Sequence, residues 1–265
     1  MKERLDSLLV RLGYFESREK AKAAVMAGLV FVDKRICDKA GTPVSDSAAI
    51  EIKRDLCPYV GRGGLKLKKA IDEFAIDLTD CIAMDMGAST GGFTYCMLKE
   101  GASKVYAVDV GYGQLHYKLR TDPRVVNIER TNIRYLDTVA IPDRMDFISI
   151  DVSFISVSLI FPVAAKLLTH DGSVVCLIKP QFEAGKKQVG KHGLVRDKTI
   201  HMEVIQKVID YGKNNGLSAI KLTWSPITGA KGNIEYLLLL KKLDNITDEK
   251  IDYTSVVNSA FDELL

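Results

Sequence analysis

The chain is poor in cysteine, and none of its five cysteines stands in a Cys-x-x-Cys pair. Cys37, Cys57, Cys81, Cys96 and Cys176 are odd in number and widely scattered. That pattern supports neither a zinc site nor a disulfide framework, so no set of metal ligands is expected. Reduced thiols fit a cytoplasmic protein, and several of these fall in apolar runs as small core residues. No uncharged apolar stretch reaches the roughly 18 residues that a membrane-spanning helix needs. The longest candidate, Phe147 to Ala165, is interrupted by Asp151 and Pro162. The start, Met1-Lys2-Glu3-Arg4-Leu5-Asp6, lacks the apolar core of a secretory leader. Long internal repeats are also absent.

What is present is an ordinary globular composition, 47% hydrophobic over 265 residues, with room for more than one domain. Charge is unevenly spread. Residues 1–70 hold fifteen Lys/Arg and nine Asp/Glu, a net of +6, which leaves −3 for the remainder of a +3 chain. A basic N-terminal third points to a polyanionic partner, nucleic acid first among them.

Residues 1–60 form one unit. Leu5, Leu8, Leu9 and Leu12 follow helical spacing and Gly13 ends that helix. Ser17 is placed to cap a second helix over 18–27, which ends at Gly28. Strands are expected over 29–32 and 49–52, with turns at 33–35, 41–43 and 45–47. A linker is expected over 55–64, rich in Pro and Gly. From 61 to 245 the pattern alternates: strands over 82–85, 105–108, 125–128, 147–150, 174–178, 218–223 and 235–240, and helices over 91–99, 155–168 and 198–214. This predicts an α/β domain with a doubly wound, mostly parallel sheet after a small α+β domain. Residues 246–265 are a tail, polar at first and then a short helix.

Two charges sit where charges are rare. Lys179 ends the apolar run Val174-Val175-Cys176-Leu177-Ile178, and Asp151 ends Phe147-Ile148-Ser149-Ile150. Such runs read as strands buried on both faces, and ligands bind at the carboxyl ends of such strands. Asp85-Met86-Gly87-Ala88-Ser89-Thr90-Gly91-Gly92-Phe93 follows a strand and opens a helix. Its small residues let the backbone approach a ligand, and the helix N-terminus favours a carboxylate. The loop lacks the GKS or GKT ending of a phosphate loop and departs from GxGxxG, which argues against a nicotinamide dehydrogenase. A carboxylate-bearing cofactor with a ribose fits better, and S-adenosylmethionine has both. Asp85, Gly87, Ser89, Thr90, Gly91, Gly92 and Phe93 are the expected cofactor contacts, with Asp109, about 20 residues on, for the ribose hydroxyls. Asn132 is a candidate for the adenine edge, and Asp151 is a further expected cofactor contact.

Arg4-Leu5-Asp6, Ser17-Arg18-Glu19-Lys20-Ala21 and Ala27-Gly28-Leu29-Val30-Phe31-Val32-Asp33-Lys34 resemble the S4-type RNA-binding domain. On that reading Arg4, Arg18, Lys20, Lys22, Lys34 and Arg35, with Arg62 beyond them, contact RNA phosphates. Gly61-Arg62-Gly63-Gly64-Leu65-Lys66-Leu67, the 85–93 loop, Asp151-Val152-Ser153-Phe154-Ile155-Ser156, Ile178-Lys179-Pro180-Gln181-Phe182-Glu183 and Gly232-Asn233-Ile234-Glu235-Tyr236 resemble the TlyA family, which joins an S4-type domain to an FtsJ-like methyltransferase. The resemblance implies ribose 2′-O-methylation of ribosomal RNA, at cytidine, with a Lys-Asp-Lys-Glu tetrad on Lys66, Asp151, Lys179 and Glu235. The family also carries the label hemolysin. Two rival functions stand beside it, an RNA-binding ribosome-assembly factor and a membrane-lytic protein; no strongly amphipathic segment supports the latter. Residues 183–198, glycine-rich and basic, are expected to form a mobile loop that closes on RNA, with His192 outside the chemistry.

Overall fold

The computed structural model describes residues 2–26, 28–52, 58–243 and 251–264, and divides into two units, Met1–Arg62 and Gly63–Leu265. Ala27 at the end of the second expected helix, Cys57 and residues 55–57 of the expected linker, and 244–250 and 265 near the C-terminus lie outside the described residues.

In the first unit β1 (Lys2–Arg4) leads into α1 (Leu5–Arg11), followed by α2 (Arg18–Met26), β2 (Val30–Val32), β3 (Arg35–Ile36), β4 (Pro43–Ser45) and β5 (Ile50–Ile52). β1 pairs with β4, and β3, β2 and β5 form a second antiparallel sheet. Leu5, Leu8 and Leu9 pack with Ala21, Ala24, Val25 and Val30 in one small core. Leu12, expected on the same stripe, falls at the helix end and is exposed. Ser17 caps α2 as its spacing predicts, its Oγ accepting from Lys20 N at 3.2 Å. The expected turn over 33–35 is tighter. Asp33 and Lys34 take positive φ, which joins β2 to β3 directly and places Arg35 in a strand. Pro43, read as a turn residue, starts the edge strand β4, a place where a missing N–H costs no ladder bond.

The second unit opens with α3 (Gly63–Phe74), which the linker reading over 55–64 overran. The signal was present: Leu67, Ala70, Ile71 and Phe74 are spaced for one helical face and are all buried. Then come β6 (Ile82–Met86), α4 (Gly92–Lys99), β7 (Lys104–Val108), α5 (Tyr117–Arg120), β8 (Val125–Ile128), β9 (Met145–Ile150), α6 (Phe161–Leu167), β10 (Leu168–Ile178), α7 (Pro180–Glu183), α8 (Lys198–Lys213), β11 (Leu217–Trp224), β12 (Tyr236–Lys242) and α9 (Tyr253–Leu264). The helix expected over 155–168 is a 3₁₀ turn (Val157–Leu159) followed after Ile160 by α6; Leu168 already has extended backbone and opens a longer strand than the one expected. The short helix expected in the C-terminal segment is α9, which buries Val257 and Ala260 in the main core.

The seven strands lie in the order β11-β12-β10-β9-β6-β7-β8. β10, β9, β6, β7 and β8 are parallel. β12 runs antiparallel to both β10 and β11. The order reverses at β6, which opens a crevice at the carboxyl ends of β6 and β9. The antiparallel turn of β12 matters for the site. It brings the start of that strand, not its end, to the same rim, with Tyr236 opposite Ile178. In a wholly parallel sheet Glu235 would lie at the opposite end.

Candidate active site

Four charged side chains meet at this rim as two ion pairs. Lys179 follows β10, and its Nζ lies 2.6 Å from Asp151 Oδ1, at the end of β9. Lys66 comes from α3, and its Nζ lies 2.5 Å from Glu235 Oε2, just before β12. Lys66, Lys179 and Glu235 are all buried. Lys179 also donates to Ser153 Oγ at 2.9 Å, and Gln181 Nε2 donates to Glu235 Oε1 at 3.4 Å. Burial pushes the Asp151 carboxyl upward, but the charges of Lys179 and Lys66 outweigh it, and its pKa falls below the ordinary value. The pairs therefore share one electrostatic field. Gly229 makes room for the Glu235 carboxylate, which a Cβ there would strike.

The glycine-rich loop borders these charges. Asp151 N donates to Met86 O at 3.0 Å, and Gly87, at φ +97°, faces the Asp151 carbonyl so closely that a Cβ would collide with it. Gly91, at φ +94°, starts α4, and a Cβ there would meet Leu115 and Leu119. Asp109 Oδ2 accepts from Ser89 N at 2.8 Å and Oδ1 from Gly111 N at 2.6 Å, which ties the two neighbouring loops together. A cradle this close to the backbone, beside a half-buried carboxylate and a helix N-terminus, fits a cofactor with a carboxylate and ribose hydroxyls. Ser89, Thr90 and Asp109 are open to solvent at least in part, whereas Asp85 and Phe93 are buried. Phe93 packs toward Gly63 rather than standing free in the loop. Asn132 caps the 3₁₀ turn Ile133–Tyr135, its Oδ1 accepting from Arg134 N at 3.1 Å.

Asp85 fastens the loop from beneath. Its Oδ2 accepts from Thr94 N at 2.8 Å and Thr94 Oγ1 at 2.6 Å, and its Oδ1 from Ser149 Oγ at 3.0 Å. Burial raises its pKa to about 6, against the hydrogen bonds from Thr94 and Ser149 that favour the ionised form. The folded state thus resists ionising Asp85, so stability declines between about pH 4 and about pH 6 and stays at the lower level above. Asp85→Asn keeps an acceptor for Thr94 and removes that cost. In thermal melts it is expected to be more stable than wild type at about pH 7.5, by at most roughly 3 kcal/mol, and no more stable at about pH 4. A gain of equal size at both pH values would show that ionisation of Asp85 is not its source.

Sequence reasoning passed over several residues here. Ser153, Gln181 and Glu183 lie inside motifs already singled out, but nothing in their type announces a contact. Glu183 is buried and accepts from Ser156 Oγ at 2.7 Å and Val157 N at 2.8 Å, which pins the loop after Asp151. That loop carries Phe154, 90% exposed at φ +63° and 5.0 Å from the Phe182 ring. Tyr112 is also exposed, under the Arg130 guanidinium at 4.0 Å. In the first unit Arg4 and Arg18 both bind the buried Asp6, at 2.8 and 3.1 Å. Lys20 pairs with Glu16, while Lys22, Lys34 and Arg35 are exposed. Arg62 reaches Asp38 at 3.7 Å and lies against Gly28. Among the described residues no group of three or more His, Cys, Asp or Glu side chains is arranged to hold a metal, and no helix is long and apolar enough to cross a membrane.

Comparison with known proteins agrees with this geometry. Residues 59–242 match the FtsJ-like methyltransferase family and residues 3–50 the S4 domain. The chain is 42% identical over 239 residues to the 16S/23S rRNA (cytidine-2′-O)-methyltransferase TlyA of Mycobacterium tuberculosis, covering 90% of this chain and 89% of that one. It is 44% identical to Hemolysin A of Brachyspira hyodysenteriae, covering 88% and 98%. A solved structure from Streptococcus thermophilus, provisionally described as a hemolysin, superposes with a TM-score of 0.80 at 46% identity, over 99% of this chain and 96% of that one. The chain belongs to the TlyA/hemolysin A family of S-adenosylmethionine-dependent, FtsJ-like methyltransferases with an S4 domain.

Proposed function

We propose that the protein transfers a methyl group to a ribose 2′-hydroxyl of ribosomal RNA, at cytidine, in the cytoplasm. The observation that carries this reading is the pairing of two buried lysines with two carboxylates beside the glycine-rich loop. A ribose hydroxyl is a poor nucleophile near neutral pH and needs a base or a charge that stabilises the developing alkoxide. Lys179 is placed for either role. Asp151 pairs with it, Lys66 adds its charge at the same carboxylate, and Ser153 accepts from its Nζ. When bound, S-adenosylmethionine supplies a methyl already activated on sulfur. Gly87, Ser89, Thr90, Gly91 and Gly92 would cradle it, with Asp109 at its ribose and Asn132 near its base. The remaining work of the protein is to set hydroxyl, methyl and sulfur in line.

Arg4 and Arg18, held by Asp6, and the exposed Lys22, Lys34 and Arg35 are the side chains the S4 unit would offer to RNA phosphates. Lys20 and Arg62 would join these when their acidic partners release them. Phe154 and the Tyr112–Arg130 pair offer exposed rings on which a base can stack. The names of the Mycobacterium tuberculosis relatives support cytidine in ribosomal RNA as the target. The test is the position of the methyl group on RNA. A 2′-O-methyl blocks alkaline cleavage of the adjoining phosphodiester, so the product label is expected in alkali-resistant dinucleotides. Label released wholly as mononucleotides would place the methyl on a base and refute the ribose assignment.

A further inference from the structure

The basic segment 184–197 is fastened at both ends by side chains that the two ion pairs do not use. At its start Gln188 Nε2 donates to Glu203 Oε2 of α8 at 3.0 Å, and Gln188 Oε1 accepts from Gly185 N at 2.9 Å. At its far end the fastening is buried. Asn233 Oδ1 accepts from Val195 N at 3.1 Å, and Asn233 Nδ2 donates to Gly193 O at 2.9 Å. His201, fully buried in α8, places Nε2 3.0 Å from Val195 O and Nδ1 2.7 Å from the Tyr236 hydroxyl. A carbonyl can only accept, so Nε2 carries the proton and Nδ1 accepts from Tyr236. Burial lowers the His201 pKa and favours this neutral ring, and Phe261 of α9 packs edge-on at 5.0 Å.

Val195 thus has both backbone groups fixed, its N–H by Asn233 and its carbonyl by His201. The two anchors on the strand side, Asn233 and Tyr236, bracket Glu235. The backbone between them is held as well: Gly229 N donates to Asn233 O and Ser225 N to Glu235 O, each at 2.8 Å. Four hydrogen bonds, three buried and one partly buried, therefore tie the segment to the strand start that carries a site carboxylate, two of them directly and two through His201. Lys186 and Lys187, just before the Gln188 anchor, and Lys191, between the two anchors, are exposed. A mobile surface loop would need no such fastening, and burying this many polar groups is unfavourable unless each is satisfied.

We propose that Asn233 and His201, with Tyr236 behind His201, are positioning residues that hold Lys186, Lys187 and Lys191 in a fixed register with the rim, ready to receive the RNA backbone. This rests on the reading of the rim as an RNA methyl-transfer site. It replaces a loop that closes on RNA by one that is set in advance, so less ordering is left to be done on binding.

The test uses the full-length protein with purified ribosomal RNA and measures RNA affinity, S-adenosylmethionine affinity, kcat and KM. Asn233→Ala is expected to weaken RNA binding roughly tenfold, with KM rising in step, while cofactor affinity stays within about twofold. Replacing Lys186, Lys187 and Lys191 together by alanine is expected to do the same. Combining that triple change with Asn233→Ala should then add almost nothing, because both act through the same contacts. Tyr236→Phe keeps the bond from His201 to Val195 but removes the donor to His201 Nδ1, so its RNA affinity is expected to fall between those of wild type and Asn233→Ala. Fully multiplicative losses, or unchanged RNA affinity in a folded Asn233→Ala protein, would overturn the proposal. Where Asn233→Ala folds poorly, His201→Gln, which can still reach Val195 O, takes its place and is expected to retain more RNA affinity than His201→Ala. Equal affinities in those two would also overturn it. A wild-type protein that binds RNA but transfers no methyl would refute the methyl-transfer reading, and the affinity comparisons would still decide whether the clamp acts.

Discussion

Replacing Lys179 by alanine is expected to lower methyl transfer by roughly 10³-fold and to leave S-adenosylmethionine affinity within about twofold of wild type. The separation follows from placement. Lys179 touches Asp151 and Ser153, whereas the cradle proposed for the cofactor comprises residues 87–92 and Asp109. Stability should fall as well, because Asp151 loses its direct partner, and breaking a buried pair costs roughly 3–5 kcal/mol at the upper end. Lys179→Arg removes that complication. It keeps the positive charge beside Asp151, but a guanidinium does not deprotonate and cannot act as a base. A folded Lys179→Arg protein as inactive as Lys179→Ala would identify Lys179 as the base. Substantial activity would identify its charge as the contribution. Full activity in Lys179→Ala would remove Lys179 from the mechanism altogether.

Gly87→Ala is expected to act at the opposite side of the same junction, through cofactor binding. Gly87 takes φ +97°, a conformation that side chains rarely adopt, and a Cβ there would strike the Asp151 carbonyl. The strain alone costs about 1–3 kcal/mol. Relief requires either the loop or the Asp151 backbone to move, and the two are joined by the bond from Asp151 N to Met86 O. Either movement displaces the cradle relative to Lys179. A shift of about 1 Å can cost 10²-fold, so affinity for S-adenosylmethionine and kcat should both drop on that order. Calorimetry of the cofactor with the folded variant checks this. Wild-type cofactor affinity would show that the loop does not hold the cofactor at Gly87.

These residues were legible in the chain to different degrees, for physical reasons. Asp151 and Lys179 announce themselves because a charge at the end of an all-apolar run has few structural uses. The loop from 85 to 93 is legible because small residues between a strand and a helix mark a close backbone approach. Lys66 is different. It stands among Lys68 and Lys69, and only the fold of α3 and the resemblance separate the buried lysine from its neighbours. Glu235 could not be placed from strand alternation alone, since a parallel β12 would have put it far from Lys179. The direction of a strand depends on tertiary pairing, which a local pattern does not carry. Asp85 shows the same limit. Its position in the motif suggests a ligand contact, but its oxygens bind Thr94 and Ser149. Ser153, Asn233 and His201 leave no compositional trace, because an uncharged or neutral side chain is distinguished only by the partners folding brings to it.

The most direct measurement is the location of the methyl group on ribosomal RNA exposed to purified protein and labelled S-adenosylmethionine, with Lys179→Arg run beside wild type. The account predicts label in alkali-resistant dinucleotides that contain 2′-O-methylcytidine with wild type, and a loss of roughly 10³-fold in the variant if Lys179 serves as base. Label on a nucleobase, or no transfer to ribosomal RNA or to either ribosomal subunit by protein that binds the cofactor, would contradict it.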